Sequence, residues 1–238
     1  MNGKSCLTTL LISLCCLTLA SPRAKAGTIV GAANFKGAKP AVPMIVMSGD
    51  KKCLAIHQGK PVPSERAVVN PNNTLQWVFV YVKKGLEGKK FPVPGEKKTI
   101  DQRGCTYHPH VFGMMANQQL EILNSDPLLH NIHALPKNSP QFNMAQPKQG
   151  AKNVKTFPHP EVMVKFKCDV HSWMSAYAGV LEHPFYSVTD DKGSFEIKNL
   201  PAGEYDIEAW HEVYGAQTMH VTVGAADTKT VNFTFTDK

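Results

Sequence analysis

The sequence predicts an all-β fold, and three observations carry that prediction. Short runs alternate apolar and polar residues with period two. Gly and Pro recur, 17 of each, as turn signals between those runs. Beyond residue 26 few convincing amphipathic helices can be drawn. In chain order the reading gives an N-terminal leader at 1–26, a β segment at 27–90, a middle β module at 91–183 and a C-terminal β segment at 184–238.

The leader reads as a signal peptide. Lys4 gives a positive start, Leu7–Ala20 is an apolar run, and Ala24-Lys25-Ala26 fits an A-x-A cleavage site. The run is too short to span a membrane comfortably. No other long apolar stretch follows, so no membrane span is expected. A periplasmic or secreted protein beginning near Gly27 is the expectation. Removing Lys4, Arg23 and Lys25 lowers the formal charge of +7 by three, to +4. The remaining lysines are dispersed in pairs such as Lys83-Lys84 and Lys97-Lys98. Nucleic-acid binding is therefore not expected, and the pairs read as solvated surface or as steering charges for an acidic partner.

Cleavage also removes Cys6, Cys15 and Cys16 and leaves Cys53, Cys105 and Cys168. An odd number in an oxidising compartment needs explaining. The simplest solution is a Cys53–Cys105 disulfide, with Cys168 kept as a thiolate by a metal.

Strands are expected at Thr28–Phe35, Gln76–Lys83, Gln119–Leu123, Asn131–Leu135, Val162–Cys168 and Tyr177–Glu182. Others are expected at Ser194–Lys198, Glu204–Trp210, Thr218–Val223 and Thr230–Thr236. The segment Trp77-Val-Phe-Val-Tyr-Val82 is apolar on both faces, as a central strand covered on both sides would be. Beyond Pro184 the chain changes character. Thr189-Asp190, Gly193, Phe195, Ile197, Leu200-Pro201, Gly203 and Tyr205 form a turn-and-strand pattern. This stretch resembles the second half of the carboxypeptidase regulatory-like (transthyretin-like) β-sandwich. Such a sandwich needs earlier strands, because so short a piece makes a marginal core. Gly27–Gly37 and Trp77–Val82 can supply them, giving a discontinuous sandwich with the middle module inserted. Two sandwiches in tandem are the alternative.

The chemistry concentrates in Cys168-x-x-His171-x-x-Met174 and in the upstream segment Asp126-Pro-Leu-Leu-His130-Asn131-Ile-His133. Two His, one Cys and one Met are the donor set of a blue-copper site: two imidazoles and a thiolate near one plane, with a weak axial thioether. Period two puts Val162, Val164, Phe166 and Cys168 on one face of a strand and Met163, Lys165 and Lys167 on the other. The charges mark the second face as solvated, so the Cys168 sulfur should point inward. The reversal at Asp169–Met174 can bring Cys, His and Met around one ion, with His130 arriving from a distant strand end.

The stretch Tyr107–Glu182 resembles the cupredoxins, and within them the amicyanin-like branch, on His130-Asn131-Ile132-His133 and the tight Cys-x-x-His-x-x-Met loop. Plastocyanin-type members space His and Met further apart. The resemblance implies a Greek-key cupredoxin β-sandwich for 91–183. It implies one type 1 copper ion, with His130, Cys168 and His171 equatorial and Met174 axial. Asn131 would then tie the ligand loops together by hydrogen bonds. Two positions depart from the pattern: Leu129 stands where Pro is usual, and Asp169 follows the Cys where a hydroxyl residue is common and would lower the potential. The implied function is an electron carrier cycling Cu(I)/Cu(II), not an enzyme, with a periplasmic dehydrogenase or a c-type cytochrome as redox partners. Leu128, Leu129 and Trp173 would form the apolar rim through which a near-surface His171 meets them.

Other readings stay open. Cys168 can be a buried free thiol and Met174 core filler. His133 falls on the strand face opposite His130 and reads as structural or as support for the ligands. Cys53, His57, Cys105, His108 and His110 could form a second metal site instead of a disulfide with incidental histidines. His211 and His220 read as surface residues. Met114, Met115, Met144 and Met163 could supply Cu(I) contacts for a delivery or buffering protein, although scattered Met is commonly core filler. An extracellular interaction module is a third function class.

Overall fold

A computed structural model describes Gly3 and residues 26–237. The expected signal peptide, 1–26, thus falls outside the described residues except for Gly3 and Ala26. In chain order the elements are β1 (Gly27–Lys36), β2 (Met44–Ile45), α1 (Lys51–Ile56), β3 (Val62–Pro63) and β4 (Phe79–Lys84). The middle module contributes β5 (Lys98–Arg103), β6 (Thr106–His108), β7 (Val111–Met115), β8 (Leu120–Asn124) and β9 (His130–Leu135). It continues with β10 (Phe142–Gln146), β11 (Ala151–Lys155), β12 (Glu161–Lys167) and β13 (Ser175–Leu181). The chain finishes with β14 (Tyr186–Val188), β15 (Ser194–Leu200), β16 (Gly203–His211), β17 (Gly215–Val223), β18 (Thr228–Thr230) and β19 (Phe233–Thr236). Among the described residues the protein is all-β apart from one short helix.

Strands from both ends of the chain build one sandwich. In its first sheet β1 pairs antiparallel with β15 and parallel with β18 and then β19. Its second sheet runs β14-β4-β16-β17. Between them Ile29, Phe35, Val80, Val82, Phe195, Ile197, Ile207, Phe233 and Phe235 are buried together. Gly31 is required at the crossing from β18 to β19, because a Cβ there would meet the Val231 carbonyl oxygen. The run expected as a single strand, Thr230–Thr236, is broken at this crossing. Val231 N–H donates to the Val30 carbonyl, and Asn232 accepts from Ala32 N–H, so the chain switches pairing along β1. The expected Gln76–Lys83 strand begins only at Phe79, because Trp77 sits at φ +65° and turns the chain.

The middle module is a second sandwich. One sheet runs β10-β9-β12-β13-β7 and the other β11-β8-β5-β6. Ile100, Tyr107, Phe112, Leu120, Ile122, Ile132, Phe157, Val164, Phe166 and Val180 fill the space between them. Alternation holds at Val164, Phe166 and Cys168, which are buried. It fails at Val162, where the β12–β13 register shifts and the side chain joins a different cluster.

That cluster joins the two sandwiches. Val80 and Val82 of β4 face the first core, while Phe79 and Tyr81 face outward onto Val111 and Leu181 of the middle module. One strand thus serves two cores, which is why Trp77–Val82 is apolar on both faces. The Phe79 ring lies where a Cβ on Gly179 would be, only 2.2 Å from the ring atoms, so a glycine is needed for the layers to approach.

The segment 44–63 leaves the first sandwich and lies against one end of the middle module. Met47 and Cys53 pack with Cys105 and Leu128, supported by Ile45, Leu54, Val62 and Trp173. The helix α1 begins because Asp50 caps it, accepting N–H bonds from Lys52 at 2.7 Å and Cys53 at 3.2 Å. Cys53 and Cys105 form a disulfide, and Cys168 is a buried free thiol. Among the described residues no helix is long and apolar enough to cross a membrane.

Candidate metal centre

Two loops at one end of the middle module carry the donor groups. The first joins β8 to β9. Buried Asn124 shapes it, accepting from Asp126 N–H and donating to the carbonyls of Leu128 and Gln146. Asp126 in turn accepts N–H bonds at 2.8 Å from both Gly104 and Cys105. His130 follows as the first residue of β9 and is fully buried. The second loop joins β12 to β13. His171 N–H donates to Cys168 Sγ at 3.3 Å, and Met174 N–H donates to the His171 carbonyl at 3.0 Å. Asn131 ties the loops together, its Oδ1 accepting from Asp169 N–H at 3.0 Å. Tyr107 O–H holds the Asn131 carbonyl from across the core.

These loops bring His130, Cys168 and His171 together, with one donor atom of each within 4.8 Å of the others. The two Nδ1 atoms are 3.1 Å apart, and Cys168 Sγ is 3.8 Å from His171 Nδ1. Nitrogen and sulfur ligands at ~2.0 and ~2.3 Å from one ion stand about 3–4 Å from each other, so the spacing suits a single ion. Met174 is buried beside Cys168 in the same core cluster. Thiolate and imidazole donors suit copper or zinc, and the two-His, one-Cys, one-Met combination suits copper.

Proton placement makes the case stronger. His130 Nε2 lies 2.7 Å from Asp126 Oδ2, and His171 Nε2 lies 3.1 Å from Asp50 Oδ2. A carboxylate can only accept, so each imidazole keeps its proton on Nε2. Both Nδ1 atoms are then turned toward each other and toward the sulfur. Burial alone would raise the Cys168 pKa, but the bond from His130 and the surrounding backbone N–H groups bring it down on balance. Burial pulls His130 the other way, yet its bonds to Asp126 and Cys168 leave it raised. Asp126 is lowered despite the opposing effect of burial, because His130, Cys105 and Gly104 all donate to it. Asp50 is lowered chiefly by its bond from His171.

Several expected placements need correction. His171 is 1 % exposed rather than near the surface, because α1 and Asp50 cover its Nε2 edge. Leu128 does not belong to an exposed rim; it is buried against the disulfide cluster. Leu129 is exposed, and Val170 joins it there. Trp173 is half-buried, its ring 5.1 Å from that of His171 and its Nε1–H on the Cys105 carbonyl. The Asp169 charge, expected to act on the ion, is instead matched by Lys167 Nζ at 2.8 Å, with His133 Nδ1 at 3.0 Å. Lys167 and Asn143, with His133, hold its pKa down to about 2.

The histidines weighed for a second metal site do not converge. His57 bonds the Gly104 carbonyl, His108 bonds Thr106, and His110 bonds Glu212 and the Ser175 carbonyl. His211 is not a surface residue: it is buried against Tyr214 and Phe235. His220 is exposed beside Asp206.

Sequence reading missed Asp126 and Asp50. Asp126 had a signal, four residues before His130 in a loop. Asp50 had none, since 121 residues separate it from His171. An open cleft of about 560 Å³ reaches the other side of the centre, lined by Cys168, Trp173, Met174, Tyr177, His110 and Glu212.

Residues 180–236 match the carboxypeptidase regulatory-like domain family. No curated protein matches the chain. Among solved structures, a purple cupredoxin from Nitrosopumilus maritimus is similar over 35 % of this chain and 98 % of its own, at 19 % identity and a TM-score of 0.30. An amicyanin variant in the Cu(I) state is similar over 37 % of this chain and 85 % of its own, at 16 % identity and a TM-score of 0.32. A copper-containing nitrite reductase from Thermus scotoductus is similar over 42 % of this chain but only 26 % of its own, at 18 % identity and a TM-score of 0.33.

Proposed function

We propose that this chain holds one copper ion at His130, Cys168, His171 and Met174 and carries electrons by cycling it between Cu(I) and Cu(II). The observation that carries this reading is the proton inventory. Two imidazoles whose Nε2–H groups are committed to carboxylates turn both Nδ1 atoms toward one buried cysteine sulfur. The bound ion supplies the one-electron couple, and the thiolate gives it strong visible absorption. The chain holds its donors in a pre-built arrangement. Asn124, Asn131 and the disulfide fix both loops, so little rearrangement accompanies a change of charge. Burial of His130 and His171 keeps bulk water away from the two imidazoles. The proposed role is that of a carrier, with no bond-breaking step at this site.

Its partners are redox proteins, by analogy a periplasmic dehydrogenase or a c-type cytochrome. The disulfide supports an oxidising compartment, periplasmic or secreted. The delivery or buffering alternative draws less support. Met114 and Met115 are buried, and Met114 and Met144 pack in the module core while Met163 packs between the sandwiches.

The test is the visible spectrum of the chain loaded with one equivalent of Cu(II). An intense thiolate-to-copper band that bleaches reversibly on reduction is expected. A folded, copper-loaded chain without that band contradicts the reading. A band with no reversible couple would favour buffering.

A further inference from the structure

The carboxylate that faces His171 comes from outside the middle module. We propose that Asp50 is a positioning residue of the metal centre: with α1 and the Cys53–Cys105 disulfide it forms a fixed lid that locks the His171 imidazole with Nδ1 inward and favours the divalent ion. This rests on the metal-centre reading above. Asp50 is shared between two tasks. Its Oδ1 caps α1 through Lys52 and Cys53, and its Oδ2 faces His171 Nε2 at 3.1 Å. The cap therefore cannot shift without moving the carboxylate from the imidazole.

The disulfide completes the lid. Cys53 Sγ is 3.6 Å from the same His171 nitrogen. Its partner Cys105 donates its N–H to Asp126, the carboxylate on His130. One staple thus joins the two turns that support the two imidazoles. Trp173 closes the His171 ring from another side. Without the lid, the Nε2 edge of His171 would meet water, and nothing would choose its tautomer. A carboxylate on Nε2–H raises the basicity of the other nitrogen, and the more highly charged ion gains more from that.

The experiment uses the full chain with Asp50→Asn and Asp50→Glu. Asn remains a good helix cap, so α1 should persist while the charge is lost. Cu(II), Cu(I) and Zn(II) affinities are measured by chelator competition, together with the reduction potential. Asp50→Asn should weaken Cu(II) and Zn(II) binding about 10–100-fold, the usual effect of losing such a partner. Cu(I) binding should weaken less, and each tenfold change in the ratio raises the potential by about 59 mV. Asp50→Glu should recover most of the loss. A merely structural role would lower the unfolding temperature and leave the potential alone. An Asn variant with the unmutated Cu(II)-to-Cu(I) ratio overturns the proposal while the electron-transfer reading stands. If the unmutated chain shows no thiolate–copper band, that reading falls. The zinc affinities then decide this proposal by themselves: unchanged zinc binding overturns it, and at least about tenfold weaker binding supports it.

Discussion

The two sandwiches are built from the same strand-and-turn vocabulary but bury different things. The flanking sandwich closes mainly on Ile, Val, Leu and Phe side chains, with buried polar groups such as Thr189 and His211 at separate points. The middle module buries Gln102, Asn124, Asp126, His130, Asn131, Gln146 and His171 as well. These polar groups form a connected path. Gln102 bonds Gln146, Asn124 bonds the Gln146 carbonyl, and Asn124 holds the turn of Asp126, which holds His130. A buried polar group is costly unless partnered, and a connected set at one end of a sandwich specifies one arrangement there. The flanking sandwich gains stability from apolar burial, whereas the middle module gives up some of that burial to fix donor atoms.

The sharpest way to break this contrast is Cys168→Ser. The thiolate-to-copper band should vanish completely while the folded β spectrum persists, because the serine is nearly isosteric and Cys168 makes no disulfide. A surviving band would place the chromophore elsewhere. The next effect is the double substitution Cys53→Ala with Cys105→Ala. The disulfide closes a loop of sequence separation 52. Chain entropy alone assigns it ~4 kcal/mol, which denaturant unfolding of the metal-free chain can measure. If unfolding is unchanged, the segment 44–63 is not tethered as described.

The flanking sandwich has its own sensitive group. Burial, the largest influence on His211, pulls its pKa down to about 4. Its Nδ1 accepts N–H bonds from Val213 and Tyr214, which suits the neutral ring. Between ~6.5, the ordinary value, and that lowered value the unfolded chain binds a proton that the folded chain refuses. Stability at this site is therefore full above the ordinary value and is lost as pH falls toward the lowered one, by ~3 kcal/mol. Denaturant unfolding at about pH 7 and about pH 4.5 should show a larger loss for the unmutated chain than for His211→Gln. Equal losses would contradict the burial argument. The smallest effect tests the join between the sandwiches. Gly179→Ala puts a Cβ into the Phe79 ring and should cost about 1–3 kcal/mol of stability. The thiolate–copper band should keep its position, since the ligand loops lie at the other end of β13. A shifted band would mean that the join and the centre are coupled.

Local pattern made the strands with one wet face legible, and Val164, Phe166 and Cys168 point inward by simple alternation. Strands without such a signal were missed. β7 is buried on both faces, and β10 and β11 are edge strands that bury little. The helix α1 is too short for periodicity to register, and its cap, the disulfide and the packing around Cys53 hold it in place. The donor residues were legible because Cys168, His171 and Met174 share one loop. Their supports were not, because Asp50 and the burial of His171 depend on a lid brought in from another part of the chain.

The central claim is that one ion sits among the two Nδ1 atoms and the Cys168 sulfur. The most direct measurement is a crystal structure of the copper-loaded chain with anomalous data at the copper edge. The account predicts one strong peak, bounded by His130 Nδ1, His171 Nδ1 and Cys168 Sγ, with Met174 Sδ on the remaining side. A peak at surface histidines such as His220, or full copper loading with no peak between those three atoms, would contradict it.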